Sequence, residues 1–130
     1  MAASPRSASF LRLAEEELGA ARRLAPDFPR QAAYQLQQAT EKIARAVLDH
    51  EGIAFGVGHN LGQMAAALPV DHAWRGRLMA FDRLSPAATR WRYPAPGGRL
   101  APPPALDRLL ADAEDIESAL AAARDWLGPN

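Results

Sequence analysis

The sequence contains no cysteine, and Lys42 is the only lysine among its fifteen basic residues. Without cysteine, neither a disulfide framework nor a thiolate metal site can form. The three histidines are scattered along the chain, so we predict no metal site and no other cofactor. Strand signals are also absent, while apolar residues recur at three- and four-residue steps. These features predict an all-α fold.

Long apolar runs are missing as well. No segment approaches the roughly 20 apolar residues that cross a bilayer, and the first residues lack the basic-then-apolar pattern of a signal peptide. We therefore predict a cytoplasmic protein with no membrane association. Fifteen basic and fifteen acidic residues cancel, which argues against a general polyanion binder.

Charge is nevertheless distributed unevenly along the chain. Residues 75–99 contain six arginines and one acid, whereas residues 107–125 contain six acids and two arginines. One interpretation is that the basic segment packs beside the acidic one and the charges neutralise each other. The other is that the basic segment forms a surface that faces phosphate groups.

Two or three long helices are predicted, from three amphipathic segments. The first is capped near Ser9 and stops at Ala25, because Pro26 disfavours helix at the residue before it. The second is capped by Asp27, carries Pro29 in its first turn and ends at Gly52. Seven apolar positions between residues 106 and 127 mark the last helix: Leu106, Leu109, Leu110, Ala113, Ile116, Leu120 and Leu127.

Shorter helical segments should lie between the second and last long helices. Asn60 is expected to cap a short helix that ends near Leu68, and Asp71 is expected to open the next one. Ser85 followed by Pro86 is a typical helix start and predicts a further short segment. The result is an up-down helical bundle.

The 130 residues are predicted to form a single domain over residues 1–130. Residues 1–6 are expected to be a frayed N-terminus. Residues 93–104 hold five of the eleven prolines and two adjacent glycines, which predicts a loop. Apolar and small residues exceed what so thin a bundle can bury, which suggests a homodimer.

Three sequence segments are similar to those of a known family. Residues 37–48 read QQATEKIARAVL on the second helix, followed by His59-Asn60-Leu61 and, later, by Arg92-Tyr93-Pro94. Their order, spacing and helical context resemble the HEPN family, the higher eukaryotes and prokaryotes nucleotide-binding domain. The resemblance covers most of the chain and implies a helical bundle.

The first candidate site lies on one stripe of the second helix. Four residues at helical spacing line it: Tyr34, Gln38, Lys42 and Arg45. Amide, ammonium and guanidinium groups together could hold phosphate oxygens. The alternative is that Glu41, Lys42 and Arg45 form an ordinary ion network on the helix surface.

Two further candidate sites follow. His59 could contact a ligand, and Asn60 beside it has a local role as a helix cap; the resemblance implies that this pair lies near the second helix. Arg90, Arg92 and Tyr93 could supply charge and a stacking plane for a nucleotide. The alternative is that Trp91 and Tyr93 anchor the core while the arginines extend into solvent.

Many HEPN proteins are metal-independent ribonucleases with an arginine followed, after four to six residues, by a histidine. Arg45 and His50 are the one literal match here. Five helical steps separate these side chains by roughly 140° around the axis, so they cannot converge on one phosphate. We therefore predict no catalytic residue.

The resemblance thus implies a non-catalytic HEPN-type binding protein. It further implies a partner, a minimal nucleotidyltransferase in a toxin-antitoxin-like pair, and contact with a nucleotide or RNA. A metal-independent ribonuclease toxin with an irregular site and a purely structural helical adaptor are the alternatives.

Overall fold

The computed structural model describes residues 4–56 and 60–129. This part of the chain is all-helical, as predicted, and contains no strand. Its elements are five α-helices and one 3-10 helix: α1 (Pro5–Leu24), α2 (Pro29–His50), α3 (Leu61–Ala66), α4 (Arg75–Met79), the 3-10 helix (Ala80–Ala88) and α5 (Leu106–Leu127). None of the described helices is long and apolar enough to cross a membrane.

The three long helices form the body of the bundle. Helices α1 and α2 pack against each other more extensively than any other pair, and α5 packs across both of them. Fully buried alanines, among them Ala14, Ala32 and Ala39, let the helix backbones approach closely. Leu36, Ile43 and Val47 are also buried, so the apolar stripe predicted for the second helix does form the core.

The short helices pack beside the long ones, and α3 and the 3-10 helix contact α2. Helix α3 contacts α2, α4 and the 3-10 helix, and its start is the best-capped helix terminus in the described chain. Asn60 Oδ1 accepts a hydrogen bond from Gln63 N–H, and Gln63 Oε1 accepts one from Asn60 N–H. This reciprocal pair confirms the predicted capping role of Asn60.

The start of α1 differs from the prediction. The helix begins at Pro5, and its cap is Ser4, whose Oγ accepts a hydrogen bond from Ser7 N–H at 3.0 Å. Both serine hydroxyls also donate to Asp49 Oδ2 on α2. Ser9 is therefore not the cap, because a tertiary contact stabilises an earlier turn. Residues 1–3 lie outside the described chain.

Three other predicted helix starts are wrong. Asp27 does not cap α2, because Phe28 occupies the N-cap position and makes no side-chain cap. The fourth helix opens at Arg75, four residues after Asp71. Ser85 lies inside the 3-10 helix, and its hydroxyl instead accepts a hydrogen bond from Leu61 N–H at the start of α3.

The predicted helix ends agree better with the structure. Helix α1 ends at Leu24, just before Pro26, and α2 ends at His50. Gly52 follows with φ of 72°, a left-handed conformation that favours glycine. Residues 89–105 contain no helix or strand and connect the 3-10 helix to α5, so the predicted loop over residues 93–104 lies within this connection.

Candidate functional site

Arg92 joins α2 to the segment that follows the 3-10 helix. Its guanidinium carbon lies 4.3 Å from the centre of the Tyr34 ring and 5.3 Å from the centre of the Tyr93 ring. These distances are typical of cation-π contacts. Two of the predicted sites, one on the second helix and one around Arg-Tyr-Pro, therefore meet at this point.

We call the residues Tyr34, Arg90, Arg92 and Tyr93 the arginine-tyrosine surface. Both arginines are exposed, Tyr93 is 59% exposed and Tyr34 is half-buried. The exposure of Tyr93 rules out its role as a core anchor. The surface thus presents two cations and two aromatic rings to solvent.

Trp91 behaves differently from its neighbours. Its side chain packs against the core, and its indole Nε1–H donates a hydrogen bond to the Pro102 carbonyl at 2.8 Å. The guanidinium carbon of Arg90 lies 5.1 Å from the centre of the Trp91 ring. The anchoring role that we considered for the aromatic pair therefore holds for Trp91 alone.

Three arginines of the basic segment, Arg83, Arg90 and Arg92, differ in their partners. Arg83 bonds to Asp112 at 2.9 Å and to Asp115 at 3.3 Å on α5. For this arginine, the first interpretation is therefore correct, and the acidic segment neutralises its charge. Arg90 and Arg92 make no salt bridge to any described carboxylate. Both are therefore available to an anionic ligand.

Lys42 is held by a residue of α1. Its Nζ lies 3.3 Å from both carboxylate oxygens of Glu17, and Oε2 accepts a hydrogen bond from it. Burial raises the pKa of the Glu17 carboxyl above its ordinary 4.5, the nearby Lys42 opposes that rise, and the neighbouring Glu41 and Glu16 add to it. The pair is largely shielded from water, so Lys42 chiefly stabilises a half-buried carboxylate.

Gln38 lies beside Lys42. Its amide Nε2–H donates to Gln37 Oε1 at 2.7 Å, and its Oε1 lies 3.5 Å from Lys42 Nζ. Gln37 is itself buried. The amide of Gln38 is therefore already bonded to two neighbours on α2.

Arg45 uses all three of its guanidinium nitrogens. Nε donates to Glu41 Oε1 at 3.2 Å, Nη1 to the Phe55 carbonyl at 3.0 Å and Nη2 to the Gly56 carbonyl at 2.8 Å. The side chain is only 15% exposed. Arg45 thus fastens the segment after α2 to the helix, and these contacts leave it little capacity for a phosphate.

His59 lies outside the described residues. Asn60, next to it, is exposed and is occupied by the cap of α3. The two following N–H groups of α3 are also bonded, Leu61 to Ser85 Oγ and Gly62 to Asp82 Oδ1 at 2.9 Å. The start of α3 is therefore a structural junction with the 3-10 helix.

The other two histidines meet at the opposite end of α2. The rings of His50 and His72 lie edge-on to Trp126, with centroid separations of 4.9 Å and 5.5 Å. His50 is sixteen helical residues beyond Tyr34, which corresponds to about 24 Å along the axis. Neither described histidine can reach the arginine-tyrosine surface, and His50 does not converge with Arg45.

Two structural residues near the site were not identified from the sequence. Glu17 holds Lys42, and the guanidinium of Arg30 donates twice to the Ala101 carbonyl, at 3.0 and 3.2 Å. Both contacts join segments far apart in the chain, so no local spacing signals them. Among the described residues, no group of three or more histidines or acids could hold a metal ion.

The fold and the site define a small all-α bundle with an exposed cationic and aromatic surface at one end. The sequence model of the HEPN domain family matches residues 7–127 of this chain. The chain therefore belongs to the HEPN family, which comprises nucleotide-binding and RNase-type domains. Neither the curated proteins nor the solved structures that were compared include a match to this chain.

Proposed function

We propose that this protein is a non-catalytic HEPN-type binding protein that holds a nucleotide or RNA on its arginine-tyrosine surface. We further propose that it is a homodimer and the partner of a minimal nucleotidyltransferase in a toxin-antitoxin-like pair. Family membership supports the ligand class. The observation that carries the site is the position of Arg92 between Tyr34 and Tyr93.

The chemistry of this surface suits a nucleotide. Arg92 and Arg90 have no described carboxylate partner, so a phosphate would meet guanidinium groups that are not already neutralised. Tyr93 is exposed and offers a face on which a base can stack. A flexible cation would lose entropy on binding, and the contact of Arg92 with the Tyr34 ring reduces that loss.

The described side chains at this surface argue against cleavage of RNA. General acid-base catalysis needs a group that changes protonation near neutral pH within hydrogen-bond reach of the substrate. His50 and His72 lie at the far end of α2, and the arginine-tyrosine surface itself consists of arginine and tyrosine side chains. Binding without reaction is therefore the function that this geometry favours.

A titration tests the ligand site. Fluorescently labelled single-stranded RNA and ATP would be titrated with the full chain at two salt concentrations. We expect Arg92→Ala to weaken binding about tenfold, since a charge-assisted hydrogen bond contributes about 1.5 kcal/mol. Arg23→Ala is the matched control, because Arg23 is an exposed arginine on α1 and should leave the affinity unchanged. Equal effects of both variants would contradict the proposed site.

A second experiment tests the partner and the assembly. The tagged protein would be purified from its native host, and associated proteins would be identified by mass spectrometry. Recovery of a nucleotidyltransferase in a defined ratio is the expected result, and its absence at native expression would contradict the pairing. Light scattering should give twice the 14.0 kDa of the chain. A mass of one chain at micromolar concentration would contradict the dimer.

Exposed apolar side chains support the dimer. Phe28 at the start of α2 is 60% exposed, and Leu106 and Leu110 in the first turns of α5 are 46% and 42% exposed. Leu110 lines a crevice with Ala25, which precedes Phe28 by three residues. Phe28→Ser and Leu110→Ser should therefore shift the mass towards one chain, and the exposed Val70→Ser, outside this region, should not.

A further inference from the structure

A groove lies between the 3-10 helix and the proline-rich segment that precedes α5. It has a volume of about 360 Å³, which falls within the roughly 300–1,000 Å³ of small-molecule sites. Its floor is formed by Ala33 and Leu36 of α2 and by Leu109 of α5. Leu84 and Ala87 form one wall, and Pro102 to Pro104 form the other.

The proline wall is fixed in place from two sides. Arg30 on α2 bonds to the Ala101 carbonyl, and Trp91 donates to the carbonyl of the next residue, Pro102. Three consecutive prolines restrict the backbone further, because each ring fixes φ. A groove whose walls are already held loses little entropy when a ligand enters.

The rim of the groove is cationic. Three arginines line it, Arg83, Arg90 and Arg108, against one acid, Asp112, which gives a formal charge of three minus one, or +2. Asp112 is bonded to Arg83 at 2.9 Å and is thereby neutralised. Arg90 and Arg108 make no salt bridge to any carboxylate in the described ranges 4–56 and 60–129.

We propose that this groove binds a small organic anion with an apolar body, whose carboxylate or sulfonate-like head meets Arg90 and Arg108. The apolar floor and the Trp91 side chain, which also lines the groove, favour burial of a hydrocarbon or aromatic body. The two arginines that lack a described acidic partner favour a single negative head at the rim. The groove shares Arg90 with the arginine-tyrosine surface, but Arg108 and Ala87 lie outside that surface, so the two sites can be tested separately.

A fluorescence titration with 8-anilinonaphthalene-1-sulfonate, an aromatic sulfonate, tests the site in the full chain. Decanoate and decanol then serve as competitors that share a ten-carbon body and differ in charge. Saturable binding at one site, displaced by decanoate and not by decanol, is the expected result. Equal displacement by decanol, or no saturation, would overturn the proposal.

Two variants locate the probe. Arg108→Glu reverses an exposed rim charge in the first turn of α5, where an acid suits the helix dipole, so folding should be preserved. We expect it to weaken binding at least about tenfold. Arg12→Ala, at the cavity between α1 and α5, is the control and should have no effect.

Ala87→Phe would fill the groove and should abolish probe binding. Because Ala87 is buried, the Ala87→Phe result counts only if this variant still melts in a cooperative transition. If it does not, Arg108→Glu alone decides between the two outcomes. Unchanged affinity in Arg108→Glu would overturn the proposal. Loss of RNA or ATP binding in Arg92→Ala with retained probe binding would show that the two sites are distinct.

Discussion

The cations of α2 and those of the segment after the 3-10 helix are chemically alike but have opposite surroundings. Lys42 and Arg45 are 20% and 15% exposed, and both are bonded to Glu17, Glu41 or backbone carbonyls. Arg90 and Arg92 are exposed and contact aromatic rings. The cations of the long helix therefore stabilise the fold, whereas the two arginines after the 3-10 helix remain accessible to a ligand.

The largest effect that tests this comparison is expected for Arg45→Ala. The change removes three hydrogen bonds and leaves the Phe55 and Gly56 carbonyls without their guanidinium donors. We expect a loss of about 2–3 kcal/mol in the free energy of unfolding, measured by urea denaturation. Ligand affinity of the folded fraction should change little.

Arg45→Lys is the matched control for that variant. Lysine keeps the charge but cannot make the planar, forked set of bonds. It should therefore recover only part of the lost stability. Full stability of Arg45→Ala would place Arg45 with the free arginines and would break the comparison.

The next effect is expected for Lys42→Ala. This substitution leaves the half-buried Glu17 carboxylate without its cation, at a cost of about 1–2 kcal/mol near pH 7 because the site is only partly desolvated. Glu17→Gln in the same chain removes the unpaired charge and should restore most of that loss. Thermal denaturation of the single and double variants measures both.

The pH dependence of Lys42→Ala follows from the direction of the shift. The pKa of Glu17 is raised in the folded state, so the folded chain binds its proton more readily than the unfolded chain does. The contribution of the Glu17 carboxyl to the free energy of unfolding is fully present below pH 4.5, where the carboxyl is protonated. It is lost as pH rises from 4.5 through the raised pKa. The destabilisation by Lys42→Ala should therefore shrink on acidification, and a loss that is constant with pH would contradict this account.

A smaller change in stability is expected for Arg92→Ala. Its guanidinium contacts the Tyr34 and Tyr93 rings and donates to the Ala88 carbonyl at 3.2 Å, all at an exposed position. We expect the free energy of unfolding to change by less than about 0.5 kcal/mol. A loss as large as that of Arg45→Ala would show that Arg92 is also structural.

Local sequence signals predicted the long helices because their apolar spacing and their stops are local. Leu36, Ile43 and Val47 occupy the buried stripe, and Pro26 and Gly52 follow helix ends as expected. Helix starts were harder to predict. Ser4 caps α1 in a cluster with Asp49, and Ser85 serves α3 across 24 positions, so tertiary contacts decided what the hydroxyls do.

The candidate site was predicted in the same partial way. Helical spacing and the family resemblance pointed to Tyr34, Arg92 and Tyr93 as candidates, and the fold brings these side chains into contact. The sequence could not reveal that Lys42 meets Glu17, 25 positions earlier, or that Arg45 meets carbonyls beyond the end of its helix. Partners that are distant in the chain determine which cations remain free.

The smallest effect is expected for an ion pair that is exposed, as Arg92 is, but bonded to a carboxylate, as Lys42 is. Arg22 bonds to Glu117 through both guanidinium Nη atoms at 3.0 and 3.2 Å, and this hydrogen bonding and charge lower the pKa of the Glu117 carboxyl below its ordinary 4.5. The stability that the pair contributes is thus present above pH 4.5 and is lost as pH falls through the lowered pKa.

Arg22→Ala should return the Glu117 pKa towards 4.5 in an NMR titration. Because solvent screens exposed pairs, raising the salt concentration should weaken this shift much more than it weakens the pairing of Lys42 with Glu17, and equal salt sensitivity would contradict the shielding assigned to α2.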